Sequence, residues 1–264
     1  MERRRGLWIG IGGIALLAAW VIAVAVSGSD DPAPSVAAST TPTVPTTLGS
    51  PATTLPPTTT VAPAAAATTT PPTTTAAPVF GSSIERIATG DLPASWRSGC
   101  PVGVESLRMV KVSHWGLDGT ERTGTLIVAA TVAEDMVDIM SRLFTAGFPI
   151  ERMEPVDVYD GDDNRSMAAN NTSAFNCRAV TGGSSWSEHS YGTAIDLNPL
   201  LNPYVRGGTV LPPEGSVYAD RSLDEPGMIH AGDEVVEAFG AHGWIWGGTW
   251  DSPKDYQHFS TSGR

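Results

Sequence analysis

The sequence predicts an α+β domain with a largely antiparallel sheet and flanking helices, placed after an N-terminal membrane helix and a disordered linker. Three observations carry that prediction. Over residues 80–264, strand-like and helix-like runs mix without a regular βαβ alternation. Before them, residues 27–79 are Thr, Pro and Ala in near monotony. Before those, Gly6–Val26 is uncharged and strongly apolar.

The apolar run, GLWIGIGGIALLAAWVIAVAV, follows Arg3, Arg4 and Arg5. About 20 such residues, at 1.5 Å rise each, cross a hydrocarbon core of roughly 30 Å. The Arg cluster is expected to stay cytoplasmic, which puts the rest of the chain outside. A cleaved signal peptide is the alternative. Ala23-Val24-Ala25 fits a small-x-small cleavage site, although the run exceeds the usual ~7–15 apolar residues. The expected location is the cell membrane, single-pass, with the folded domain extracytoplasmic, or secretion if the segment is removed.

Residues 27–79 cannot bury enough apolar area to offset their backbone entropy. Pro stiffens them locally, so the segment reads as a tether; some 50 residues at ~3.1 Å each reach roughly 150 Å when fully extended. No charge occurs between Asp31 and Glu85, and the charges of residues 1–31 cancel. The whole net charge of −12 therefore sits in residues 80–264. Such an acidic domain lacks the Lys/Arg patches that phosphate binding needs, which argues against a nucleic-acid partner.

Within that domain, Ser106–Trp115 alternates as a strand, and Asp118-Gly119 signals a hairpin into Thr123–Ala130. Thr131 and Glu134 form the pattern of a capping box. Met136, Ile139, Met140, Leu143 and Phe144 follow at helical spacing until Gly147. A strand is expected over 149–158 and a short helix over 165–173. Gly192–Leu197 reads as a strand and Gly232–Gly243 as a helix. Trp244–Trp246 and Tyr256–Phe259 read as short strands. Cys100 and Cys177 both fall in the exported part, where disulfides persist. Pairing them would close a loop of about 77 residues, contributing about 4 kcal/mol by the chain-entropy account; two separately buried thiols are the alternative.

Five His occur, and two sit in unusual company. His189 stands in Ser187-Glu188-His189-Ser190-Tyr191-Gly192, just before a strand that carries Ala194 and Asp196 on one face. His258 stands three residues after Asp255. Two imidazoles and one carboxylate with an open position are the ligand set of catalytic zinc, and a nearby carboxylate can serve as general base. Taken alone, such a triple is weak evidence in an acidic domain with five His. His114, His230 and His242 read as structural or surface residues, and Trp244, Trp246 and Trp250 as core or cleft wall.

Taken together, Ser187-x-His189-x-x-Gly192-x-Ala194-x-Asp196, then Gly243-Trp244-x-Trp246-Gly247-Gly248, then Asp255-x-x-His258-Phe259 resemble the zinc D-alanyl-D-alanine carboxypeptidases. The likeness is greatest to their branch with the phage L-alanyl-D-glutamate endopeptidases. It implies the fold of that family, shared with hedgehog-type domains, and one Zn²⁺ held by His189, Asp196 and His258. It also implies Asp255 as the catalytic carboxylate and Arg165, in Asn164-Arg165-Ser166, as the residue that polarises the scissile carbonyl. The Arg165 match is looser, because the family often has Tyr-Arg-Ser with a Gln a few residues on. The implied partner is a peptidoglycan stem peptide, and the chain is expected to act as a monomer.

Which bond is cut stays open between the D-Ala–D-Ala and L-Ala–D-Glu linkages. Two other classes compete. A wall-binding module would lack a ligand or the base, and none is missing. An iron(II) oxygenase also uses two His and a carboxylate, but its triad usually begins His-x-Asp, whereas His189 and Asp196 are seven apart.

Overall fold

A computed structural model describes residues 78–264. The expected membrane helix at 1–26 and nearly all of the expected linker lie outside these residues. Among the described residues, no helix is long and apolar enough to cross a membrane.

The domain mixes helices and antiparallel strands. It opens with strand β1 (Ser82–Arg86), then β2 (Leu107–Trp115) and β3 (Glu121–Ala129). The two long strands pair antiparallel through the Asp118-Gly119 turn, and β1 pairs antiparallel with β2 on its other side. Helix α1 (Ala133–Ala146) follows and ends at Gly147, which takes φ +74°. Next come β4 (Arg152–Met153), helix α2 (Asp163–Ala168) and β5 (Asn171–Thr172). The site half contains β6 (Ala194–Asp196), β7 (Tyr204–Arg206), β8 (Thr209–Leu211), helix α3 (Glu234–Gly240), β9 (Ile245–Trp246), β10 (Lys254–Asp255) and β11 (His258–Ser260).

These strands form four small sheets: β1-β2-β3, β10-β7-β8, β6-β11-β9 and β4-β5. All pairings are antiparallel except β4 with β5.

Three local expectations are corrected. The capping box at Thr131 does not form; Val132 precedes α1 without a side-chain cap, and residues 130–132 make a tight 3₁₀ turn. The strand expected over 149–158 shrinks to Arg152–Met153, because Pro155 begins a 3₁₀ turn over Val156–Tyr159. The helix expected over 165–173 ends at Ala168, and the chain turns extended to pair Asn171–Thr172 with β4. The β7–β8 hairpin was not foreseen, since three-residue strands carry little periodic signal.

The core lies between α1, the first sheet and the site sheet. Val110 and Val112 of β2, and Leu126 and Val128 of β3, face Met136, Ile139, Met140 and Leu143 of α1 within one buried cluster. Phe239 of α3 stacks on Phe259 of β11 at 4.1 Å between ring centroids. The other face of the hairpin is also buried: Leu107 and Ile127 join Leu92, Phe175 and Cys177 in a second cluster. Cys177 pairs with Cys100 in a disulfide. Burial of a large apolar side chain stabilises by about 1.5–3 kcal/mol, so this double-sided packing holds the β2–β3 hairpin as a rigid floor for the site.

Candidate metal centre

Strand alternation delivers two of the site residues. In β11, Phe259 points into the core while its neighbours His258 and Ser260 point the other way. In β6, Ile195 is the core residue and Asp196 takes the opposite face. The antiparallel register sets His258 directly opposite Asp196. Cross-strand partners bring their Cβ atoms to about 4.5–5.5 Å, so the two side chains meet without further design.

His189 arrives from a different element, the 3₁₀ turn Glu188–Tyr191. Ser187 caps this turn by accepting from the His189 amide at 3.4 Å. Gly192 ends it at φ +70°, and a Cβ there would lie 2.6 Å from the Ala129 nitrogen. Only glycine fits both the left-handed backbone and that close approach. The Gly192 carbonyl accepts from that same nitrogen at 2.8 Å, fastening the turn to β3. Ser190 Oγ donates to the Arg178 carbonyl at 2.7 Å, fastening it to the chain after the disulfide.

The result is a triangle of ligand-type atoms. His258 Nδ1 lies 3.0 Å from Asp196 Oδ1, His189 Nε2 lies 3.2 Å from the same oxygen, and the two ring nitrogens are 3.2 Å apart. All three residues are buried. Each ring's other nitrogen faces a main-chain oxygen: His189 Nδ1 lies 2.6 Å from Ala174 O, and His258 Nε2 lies 2.8 Å from Arg264 O. An oxygen of that kind only accepts, so these nitrogens must donate. In their neutral form the rings therefore turn unprotonated nitrogens toward Asp196. Three lone-pair sites then point at one place, an arrangement that only a positive charge, a proton or a metal ion, can satisfy. A tetrahedral ion with ligands at ~2.0–2.1 Å spaces its donors roughly 3.3 Å apart, close to what is seen. The donor set thus fits a divalent cation of the zinc type.

The electrostatics agree. Burial pushes the Asp196 carboxyl up, but the two imidazoles outweigh it and hold the group well below the usual carboxylate range. Burial likewise opposes charge on His258. The bond and charge of Asp196, with the charge of Asp255, overcome that and raise it to about 9. Without an ion the positive charge is a proton on His258, whose place a metal cation would take.

Asp255 sits on β10, paired with Tyr204 of β7. Its approach depends on Gly247, where a Cβ would stand 2.6 Å from the Asp255 carbonyl oxygen and 2.9 Å from its Cβ. Asp255 Oδ1 is buried with no hydrogen-bond partner. Burial raises its carboxyl to about 6, with the negative charge of Asp196 adding to the rise and His258 opposing it. A carboxylate in that condition is suited to accept a proton from water.

His189, Asp196, Asp255 and His258 line one cleft of about 890 Å³. Trp250 forms part of its wall, 5.6 Å from the His258 ring, whereas Trp244 and Trp246 are core residues. Arg165 is not brought to this cleft. Asp163 and Met167 of α2 line it, and at 100° per residue Arg165 falls roughly 200° around the helix from Asp163. Its guanidinium pairs instead with Asp160 at 2.8 Å, on an exposed surface. Three arginines do line the cleft, Arg178, Arg206 and Arg264, and Arg178, which the sequence reading passed over, is the one on the chain just before the His189 turn. It pairs with Asp163 at 2.8 Å and keeps a buried Nε without a partner. Its position just after Cys177 was the available signal, because a disulfide fixes the chain there. His114, His230 and His242 stay outside the site; the last pairs with Asp135 at 3.1 Å.

Residues 181–261 match the family model described as D-alanyl-D-alanine carboxypeptidase. This is the family that the motifs resemble, and the match supports a peptidase. It spans His189, Asp196, Asp255 and His258 and excludes both Arg165 and Arg178. No curated protein and no solved structure matches the chain significantly.

Proposed function

We propose that this chain, similar over residues 181–261 to D-alanyl-D-alanine carboxypeptidases, is a zinc-dependent peptidase that hydrolyses peptidoglycan stem peptides. The observation that carries the reading is the convergence of His189 Nε2, His258 Nδ1 and Asp196 Oδ1 within hydrogen-bond distance of one another, each aimed at a common point. His189, Asp196 and His258 would hold the ion. When bound, zinc supplies Lewis acidity that polarises a carbonyl and acidifies water.

The chain's own residues do the rest. Ala174 O and Arg264 O fix the ring orientations, so both nitrogens are aimed at the site before an ion arrives. Asp255, with its unpartnered Oδ1, takes the proton of the attacking water and later returns it to the leaving amine. Arg178, rather than Arg165, is the guanidinium suited to donate to the carbonyl oxygen as it gains charge. It stays charged at any working pH, and fixed donors of this sort account for a large part of a rate enhancement. The apolar N-terminal run and the Thr/Pro/Ala tether fit an enzyme that works on the cell wall from a membrane anchor.

The test is direct. The protein is incubated with a stem pentapeptide, with zinc and with a chelator, and the products are weighed by mass spectrometry. Hydrolysis that needs zinc and disappears in Asp255→Asn supports the reading, and the product masses distinguish carboxypeptidase from endopeptidase. An intact peptide under all conditions contradicts it.

A further inference from the structure

Arg206 lines the same cleft with no partner of its own. It lies on β7, the strand between β8 and β10. Tyr204 and Arg206 both face the cleft and Val205 between them does not, as two-residue alternation requires. Tyr204 stands directly opposite Asp255. Two strand residues advance about 6.6 Å, so Arg206 is rooted about two residues along the cleft wall from the proposed base.

The charges around Arg206 separate it from a solubilising surface residue. The cleft wall carries Asp163, Glu188, Asp196 and Asp255, but Asp163 is taken by Arg178, Glu188 accepts from Thr193 Oγ1 at 3.4 Å, and the other two belong to the candidate metal centre. Among the described residues, the Arg206 side chain makes no hydrogen bond or ion pair, and the residue is exposed. A free guanidinium fork on the wall of a catalytic cleft, in a domain of net charge −12, matches the planar geometry of a carboxylate.

We propose that Arg206 binds a substrate carboxylate close to the cut bond, making the cleft selective for acidic peptides over their amidated forms. This deepens the peptidase reading and rests on it. Two carboxylates share the required chemistry: the C-terminal carboxylate of a peptide trimmed at its end, and the free carboxylate of an internal glutamate.

The probes are a stem pentapeptide, L-Ala-D-Glu-L-Lys-D-Ala-D-Ala, the same peptide with a C-terminal amide, and the same peptide with the free D-Glu carboxylate amidated. Each is given to wild type, Arg206→Gln, Arg206→Lys and Arg264→Gln. Cleavage is followed by mass spectrometry and binding by tryptophan fluorescence, since Trp250 lines the cleft. One of the two amidations should lower wild-type kcat/KM and affinity by roughly tenfold to a hundredfold. Arg206→Gln should show that loss with the acidic peptide and become indifferent to that amidation, and Arg206→Lys should recover part of it. The amidation that matters identifies the carboxylate.

Equal treatment of all three peptides by wild type overturns the proposal. So does a wild-type preference retained in Arg206→Gln, or one lost in Arg264→Gln instead. Arg206-dependent binding without cleavage supports this proposal and removes the peptidase reading. Cleavage without discrimination does the reverse, and no binding to any of the peptides removes both.

Discussion

The side chains of the candidate metal centre have separable proposed jobs, and substitution should separate them. His189→Ala removes a ligand, so bound zinc and turnover should fall together. Asp255→Asn leaves the ligands in place, so zinc should stay while kcat drops by about a hundredfold to ten-thousandfold, the range for a lost general base. The pH profile carries the same information. Asp255 must be ionised to take a proton, and burial raises its carboxyl to about 6. A bound cation pulls that value down. The rate should therefore climb with pH along an acid limb centred at or below about 6, and a limb well above that value in the kcat profile would contradict the assignment. Arg178→Ala should cost at least tenfold in kcat, whereas Arg165→Ala, on the exposed face of α2, should leave kcat unchanged. The reverse order would return the role to Arg165.

The elements explain what was legible in the sequence. The convergence of His189, Asp196 and His258 was legible because β6 and β11 alternate strictly, and because Gly192 and Gly247 sit where a Cβ cannot. Those constraints are local, so they leave a spaced motif. Arg165 lies away from the cleft, which its three-residue motif could not show because it says nothing about helix phase, and α2 begins two residues earlier than expected, after its Asp162 cap. Arg178 left no motif, since its position depends on a disulfide to Cys100, distant in sequence. The hairpin bearing Arg206 was too short to show a period. Two stability predictions follow the same logic. Gly192→Ala must hold a side chain at φ +70° against the Ala129 nitrogen and should lose about 1–3 kcal/mol in a denaturant melt. Cys100→Ser with Cys177→Ser should lose about 2–5 kcal/mol while leaving the ligand triangle intact. Zinc binding abolished by the double substitution would show that the disulfide also shapes the site.

At the scale of the molecule, the fold is a rigid double-sided hairpin and helix that carries short, individually weak site strands. Short strands need cross-links, and a cation held between β6, β11 and the His189 turn would be one. Zinc at about a thousand times its Kd stabilises by about 4 kcal/mol, which raises Tm by roughly 8–16 °C for a domain of this size. The net charge of −12, carried wholly outside the N-terminal segment, fits a domain that draws in cations and lets guanidiniums inside the cleft choose among anionic peptides.

The central claim is that three side chains from two strands and one turn hold a single cation. Calorimetric titration of the metal-free protein with zinc tests it most directly. One equivalent should bind tightly to the wild type and none to His258→Ala. Equal binding by both proteins, or no binding by the wild type, would contradict the account.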